Sequence, residues 1–357
     1  MTGVPAPAAV PAARPGAAAD AGTGVDVVIP TVGRPTLAAL VWMIARALPA
    51  GSRVFLVDDR PVPQPQLDLP VDDDRVQVLH SGGRGPAAAR NVGWRASTAP
   101  WVAFVDDDVE PPLGWVQGLT DDVRHAGRRV GAVQGRIEVP LPVDRPATDW
   151  ERNVAGLDGA TWITADMVVR REALVAVDGF DERFPRAYRE DTDLALRLLD
   201  AGWELTVGTR RVRHPVRPAP WWTSVRLQRG NADDVLLARL HGPDWRDRIG
   251  VPPGAWRAYP LTTGLGLAGA AALVAGHRRA AAAAGALWAA RTARFAWRRT
   301  APGPRTAAEV AAMVATSAAI PPAACYHRLR GWLRWRSVAP AARADEADEP
   351  DEPDERA

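Results

Sequence analysis

Three consecutive carboxylates, Asp106, Asp107 and Asp108, end the apolar run WVAFV. No basic residue stands beside them in sequence, so their clustering is electrostatically costly unless a cation sits among them. Carboxylates spaced one apart at a strand end project to a common side, and Mg²⁺ or Mn²⁺ takes oxygen ligands that it shares with substrate phosphates. Asp106 and Asp108 are therefore candidate metal ligands. The competing reading is a solvated acidic turn, or the amino-terminal cap of a helix expected after Pro111.

Four further segments carry chemistry. After RVFLV, the pair Asp58 and Asp59 could accept hydrogen bonds from a base or ribose. In GRGPAAARNVGWRAS, glycines precede a helix with Arg90 and Asn91 in its early turns, a place suited to anionic groups, although an ordinary Arg-rich surface helix reads the same way. In REDTDLALRLLDAGW, Glu190, Asp191 and Asp193 crowd a helix start whose buried face is marked by Leu194, Leu198 and Leu199. Capping accounts for one acid; a neighbouring pair leaves another to deprotonate an acceptor hydroxyl as a general base. His214 closes RRVRH, where a neutral imidazole nitrogen could ligate a metal, although a lone histidine is more often structural.

The elements that must position these residues follow from the hydrophobic pattern. Short apolar runs alternate with helical stretches: VDVVIP, a helix from about Thr36 to Leu48, RVFLVDD, a loop, VQVLH, a helix from Gly85, then WVAFVDDD. That alternation argues for a parallel sheet with crossover helices. Ligands of such sheets gather at the carboxyl ends of the strands, so Asp58, Asp59, Asp106, Asp107 and Asp108 should face one crevice. A second block, positions 129 to 214, holds VGAVQGRIEV, WITADMVVRREAL, the turn GFDERF, the EDTDLALRLLDAGW helix and a strand ending at His214. It reads as an acceptor-side half.

The order VVIPTVGRP, LVDD, GPAAARNVG, FVDDDV, GFDERF, EDTDLALRL, VRH resembles the family 2 glycosyltransferases over about positions 25 to 215. The resemblance implies an α/β, GT-A type nucleotide-binding sheet with flanking helices, followed here by an α-helical carboxy-terminal region. It implies a nucleotide-diphosphate sugar as donor, held by Thr31, Arg34, Asp58, Asp59, Arg90, Asn91, Asp106 and Asp107. It further implies Mn²⁺ or Mg²⁺ on Asp106 and Asp108, completed by His214, and inversion at the anomeric carbon with Asp191 as base and Glu190 beside it. A hydroxyl acceptor on a cell-envelope glycan or a lipid-linked sugar is the expected partner.

The pattern departs from the family in two places. The first loop reads TVGRP where many relatives carry small polar and aromatic residues. The QxxRW element of processive synthases is absent as such, with LQRGNADD at positions 227 to 234 a loose counterpart, so transfer of one or a few sugars is expected over polymer synthesis. A nucleotidyltransferase would want a Gly-rich basic loop straight after the first strand, which TVGRP only sketches. A catalytically silent scaffold of the same fold is opposed by intact carboxylates at both acidic positions.

Composition bounds the rest. All 44 basic residues are arginine, which with abundant Ala, Gly and Pro reflects a GC-rich genome. The net charge of +2 hides an asymmetry: from Ala344 to Ala357 eight acids and one arginine give −7, so the remainder carries +9. The single cysteine, Cys325, excludes an internal disulfide. Positions 1 to 24 read as a disordered leader without a secretory apolar core, 216 to 340 as a helical Arg/Ala/Trp-rich region, and 341 to 357 as an acidic disordered tail. Positions 258 to 276 carry no charge over a near-spanning length. From Arg278 to Arg343 twelve arginines and one acid are interleaved with aromatics, suited to an anionic membrane surface. The alternative is an Ala-rich soluble subdomain with a solvated Arg face. Nucleic-acid binding is not expected, because no recognition motif accompanies the charge. The expected location is the cytoplasm or the cytoplasmic face of the membrane.

Overall fold

The computed structural model describes residues 23–69, 73–252 and 254–340. The expected leader, apart from its last two residues, and the acidic tail lie outside them.

Seven strands form one sheet in the order β3-β2-β1-β4-β6-β5-β7. They are β1 (Val25–Thr31), β2 (Val54–Asp58), β3 (Val76–His80), β4 (Trp101–Val105), β5 (Val130–Glu138), β6 (Asp166–Arg170) and β7 (Glu204–Arg213). β3, β2, β1 and β4 are parallel, as the alternation of runs and helices leads one to expect. β6 runs antiparallel to both β4 and β5, so the sheet is mixed. The crossover after β4 carries the chain one strand position further, to β5. The chain then returns through the 140–165 segment to fill the gap from the opposite direction. Apolar alternation alone cannot reveal that reversal, because a strand buried on both faces reads the same in either direction.

Helices α1 (Leu37–Ala47), α2 (Pro86–Ala96), α3 (Trp115–His125), α4 (Asp149–Ala155), α5 (Arg171–Ala176) and α6 (Glu190–Asp200) flank the sheet. One core packs α1 and α3 under Val27, Ile29, Leu56, Ala103 and Val105. The other packs α2, α5 and α6 against Val28, Phe55, Val102 and Phe104 through Trp94, Leu174, Leu194 and Leu198. The alternation of these strand residues between the two faces is the period-2 pattern of a sheet covered on both sides. Leu194 and Leu198 are buried as expected, whereas Leu199 is half-buried and Leu196 faces a third cluster.

Beyond β7 come α7 (Thr223–Arg226), α8 (Asn231–His241), α9 (Trp245–Arg248), α10 (Tyr259–Val274), α11 (Arg278–Thr300) and α12 (Ala307–Arg334). This is the α/β sheet with a helical carboxy-terminal region that the sequence pattern implies. The third cluster joins Phe184 and Leu196 of the sheet side to Leu236, Trp245 and Trp335, so packing runs unbroken across position 215. His241 Nε2 meets the fully buried Asp193 at 2.8 Å, and Arg299 pairs with Asp149 at 2.7 Å, fastening α8 to α6 and α11 to α4. Among the described residues, α12 is the one helix long and apolar enough to cross a membrane, with a mean hydropathy of 1.3 over its best window. The uncharged stretch at 258 to 276 forms the 16-residue α10, shorter than a span of about 20 residues.

Candidate active site

The parallel half of the sheet brings the ends of β1, β2 and β4 together at its carboxyl edge. Register pairs Thr31 with Asp58, and the Asp59 amide donates to the Thr31 carbonyl at 2.8 Å. Asp107 stitches β4 to the loop after β1. Its carboxylate accepts from Thr31 Oγ1 at 2.6 Å and from Arg34 Nε at 2.5 Å, while its carbonyl accepts from Thr36 Oγ1 at 2.7 Å. Burial pushes the Asp107 carboxyl above its usual range, against the pull of Thr31 and Arg34. Thr31, Arg34 and Asp107 thus form one buried knot.

Asp58 and Asp59 divide. Asp58 is buried, and Arg60 grips it through Nε and Nη2, which outweighs burial and holds its carboxyl low. Asp59 is half-exposed and accepts from Ser81 Oγ at 2.7 Å and from the Gly85 amide at 3.0 Å, at the amino-terminal cap of α2. Gly85 has a φ of +101°, and a Cβ there would sit 2.7 Å from the Pro185 carbonyl oxygen, so the close approach of the α2 cap to the segment before α6 requires glycine.

Arg90 and Asn91 sit side by side on α2, both buried to 1% exposure. Arg90 Nη2 donates to Asp106 at 2.8 Å and Nη1 to Glu190 at 2.9 Å. It thereby joins the acidic strand end to the start of α6, and its guanidinium lies over the Phe180 ring. Burial alone would push the Arg90 guanidinium down; the two carboxylates outweigh it and hold it above its usual value. Asn91 binds the Phe180 backbone with both ends of its amide, donating to the carbonyl at 2.8 Å and accepting from the amide at 2.9 Å. That bond set fixes the GFDERF turn on α2. Arg90 is therefore the link between the two acidic sets, and Asn91 is the brace of the turn that leads to the second.

Glu190 and Asp191 begin α6. Glu190 is 2% exposed, and its Oε2 has no hydrogen-bond partner. Burial, with the neighbouring Asp191 charge, pushes its carboxyl up to about 8 despite Arg90. Asp191 is half-exposed. Burial raises its carboxyl, opposed by the Thr192 amide that donates to Oδ1 at 2.7 Å and by Arg90 and Arg189. Such a carboxylate is a stronger base than a free one and is open to a substrate hydroxyl. Asp193, the third acid of the cluster, is committed elsewhere: Arg197 and His241 outweigh burial and hold it low.

Arg189, just before the pair, is a non-glycine residue with a φ of +78° at the cap of α6. Its side chain bonds Asp234 at 2.8 Å and stacks on Tyr188 and Trp245, and Arg186 pairs with Asp233. The acids of LQRGNADD thus hold the segment that presents Glu190 and Asp191, and surrounding contacts over-determine a backbone conformation that is costly alone.

Asp108 lies at the other side of the strand end. It is 6% exposed, with Arg217 Nη2 at 2.5 Å and His214 Nε2 at 3.7 Å. Burial first and the charge of Asp106 second raise its carboxyl. His214 is held by its amide, which donates to the Glu138 carbonyl, while its buried Nδ1 has no partner. Among the described residues, no three His, Cys, Asp or Glu side chains converge as a metal shell. Asp108 and His214 face each other, while Asp106 is turned to Arg90. Asp108 and the Nε2 of His214 could supply two ligands to a divalent cation that takes its other ligands from a diphosphate and water. Sequence reasoning missed Arg217, three residues past His214, as well as Arg60, Ser81, Thr36 and Arg189. Arg189, inside the REDTD segment, Arg60, directly after the Asp58–Asp59 pair, and Arg217 stood close enough to a noted motif to be found.

The chain is similar to known proteins over part of its length. Residues 26–153 match the model of Glycosyl transferase family 2. The chain is 30% identical over 243 residues to the pre-mycofactocin glycosyltransferase of Mycobacterium tuberculosis, in a match covering 60% of this chain and 49% of that protein. It thus spans about half the length of the curated relatives it matches. Among solved structures, GalNAc-T7 with UDP, GalNAc and Mn²⁺ superposes with a TM-score of 0.49 at 16% identity, covering 68% of this chain and 51% of that one. Glucosyl-3-phosphoglycerate synthase of Mycobacterium tuberculosis, with Mn²⁺, UDP-glucose and phosphoglyceric acid, gives 0.40 at 15% identity, covering 65% and 81%. Over residues 26–153 the chain is thus similar to the glycosyl transferase family 2 proteins.

Proposed function

We propose that the protein transfers a sugar from a nucleotide-diphosphate sugar to a hydroxyl acceptor, with inversion at the anomeric carbon. The observation that carries this reading is the pairing of two acidic sets through one buried arginine: Asp106 at the strand end and Glu190 at the start of α6 share Arg90. In this reading the strand-end side takes the donor, with Asp59 and the Thr31–Arg34–Asp107 knot beside the nucleoside. Asp108 and His214, with Asp106 nearby, would hold a divalent cation, which would supply charge neutralisation on the diphosphate leaving group. Asp191 takes the proton from the acceptor hydroxyl, and Glu190, locked on Arg90, orients it.

The acceptor in this reading is a cell-envelope glycan or a lipid-linked sugar, met at the cytoplasmic face of the membrane. Exposed Trp221, Trp222, Trp297 and Trp332, beside the arginines of α11 and α12, support contact with an anionic interface.

Slow hydrolysis of the donor, with water as acceptor, tests the reading without a known acceptor. UDP-, GDP- and dTDP-sugars are incubated with the protein and Mn²⁺, and the anomer first released is identified by NMR. One donor consumed with inversion, and not by Asp191→Asn, is the expected result. Retention, or equal turnover in that variant, contradicts it.

A further inference from the structure

A cavity of about 670 Å³ opens between α8, α10 and α12, away from the acidic residues of the candidate site. Its walls are mainly apolar and aromatic, with Val235, Trp256, Tyr259, Leu329 and Trp332, and this volume lies in the range of ligand pockets. Two arginines, Arg239 and Arg328, also line it, and neither forms an ion pair with a described residue. The Arg328 guanidinium stacks on Trp256, 3.7 Å from the ring centroid. Burial pushes it below its usual value, against the pull of Asp234 and with Arg246 on the same side. Asp234 is already engaged by Arg189 and Arg246, at 2.8 and 2.7 Å, and makes no ion pair with Arg328.

We propose that this cavity is a binding site for one anionic phospholipid, whose phosphate meets Arg239 and Arg328 and whose chain lies along the apolar wall. An uncharged ligand would leave two arginines unpaired in apolar surroundings, which is costly. A small inorganic anion would leave the aromatic wall uncovered. The wall continues outward: Leu329 and Trp332 are more than half exposed, and so is Leu261 on α10, giving an acyl chain longer than the cavity a path along the long apolar helix α12. This inference rests on the membrane part of the proposed function and is independent of sugar transfer.

Cys325, the one cysteine of the chain, lies in the cavity wall and is a free thiol, so it reports occupancy. The full chain is alkylated with N-ethylmaleimide and the rate is followed by intact mass. Additions are dihexanoyl phosphatidylglycerol, dihexanoyl phosphatidylcholine, both below micelle formation, or inorganic phosphate. Phosphatidylglycerol should slow alkylation saturably, by about tenfold at ten times its Kd. Arg328→Gln and Arg239→Gln should be alkylated without that protection, while Arg278→Gln, on the exposed start of α11, should keep it. Equal protection by phosphatidylcholine, protection by phosphate alone, or none by any lipid would overturn the proposal. Donor hydrolysis measured on the same samples separates this outcome from failure of the transferase reading.

Discussion

Arg90 and Glu190 stand 100 residues apart in sequence and meet at 2.9 Å, each 2% exposed or less. With Asp106 on its other arm, Arg90 is the residue through which the strand-end acids and the α6 acids sense one another.

Removing it takes the cation from Asp106 and the hydrogen-bond donor from the buried Glu190. Arg90→Ala should cost about 3–5 kcal/mol in urea unfolding, as for other broken buried pairs. Because Glu190 supplies part of that penalty, Arg90→Met combined with Glu190→Gln should cost clearly less than the sum of the two single changes. Strict additivity would show that the pair carries no coupling.

Glu190 should also write a signature on the pH dependence of stability. Its carboxyl moves from a usual 4.5 to about 8 in the folded chain, so between those values the native state holds a proton that the unfolded state has released. The slope of unfolding free energy with pH is then negative: this group's contribution is fully present below 4.5 and is lost as pH rises through about 8. Glu190→Gln should flatten the fall in stability between about pH 4.5 and 8. An unchanged slope would mean that the burial of Glu190 is relieved in solution.

Thr31 and Asp107 make a 2.6 Å buried hydrogen bond that closes the first loop on the strand end. Thr31→Val keeps the shape and deletes the donor, at about 1–3 kcal/mol. Thermal unfolding measures that loss. A neutral result would show that Arg34 alone secures Asp107.

A chain ended at Pro215 uncovers Phe184 and Leu196, both fully buried, and deprives Asp193 of His241. Each apolar side chain exposed costs about 1.5–3 kcal/mol. The truncated chain should aggregate or unfold well below the full one in gel filtration and thermal melts. A stable, soluble 1–215 fragment would show that the helical region is dispensable to the sheet.

Much of this site is legible in the sequence because strand ends and helix starts announce themselves locally. WVAFV followed by three acids gives β4 and its carboxyl edge, and REDTD before a Leu-patterned run gives α6. The roles of individual acids are not local. Whether Asp193 joins the cluster or holds His241, and whether Asn91 faces a crevice or braces Phe180, depend on partners up to 89 residues away. The reversal of β6 is hidden for the same reason: strand direction is fixed by connections, and the run DMVV carries no mark of it.

In the proposed function Asp108 serves the donor side and Asp191 the acceptor side. Calorimetric titration of UDP, GDP and dTDP, with and without Mn²⁺, tests it most directly on the wild-type chain, Asp108→Ala and Asp191→Asn. Mn²⁺-dependent binding of one nucleotide is expected, lost in Asp108→Ala and retained within about twofold, well under 1 kcal/mol, in Asp191→Asn. Binding of no nucleotide, or equal loss in both variants, would contradict it.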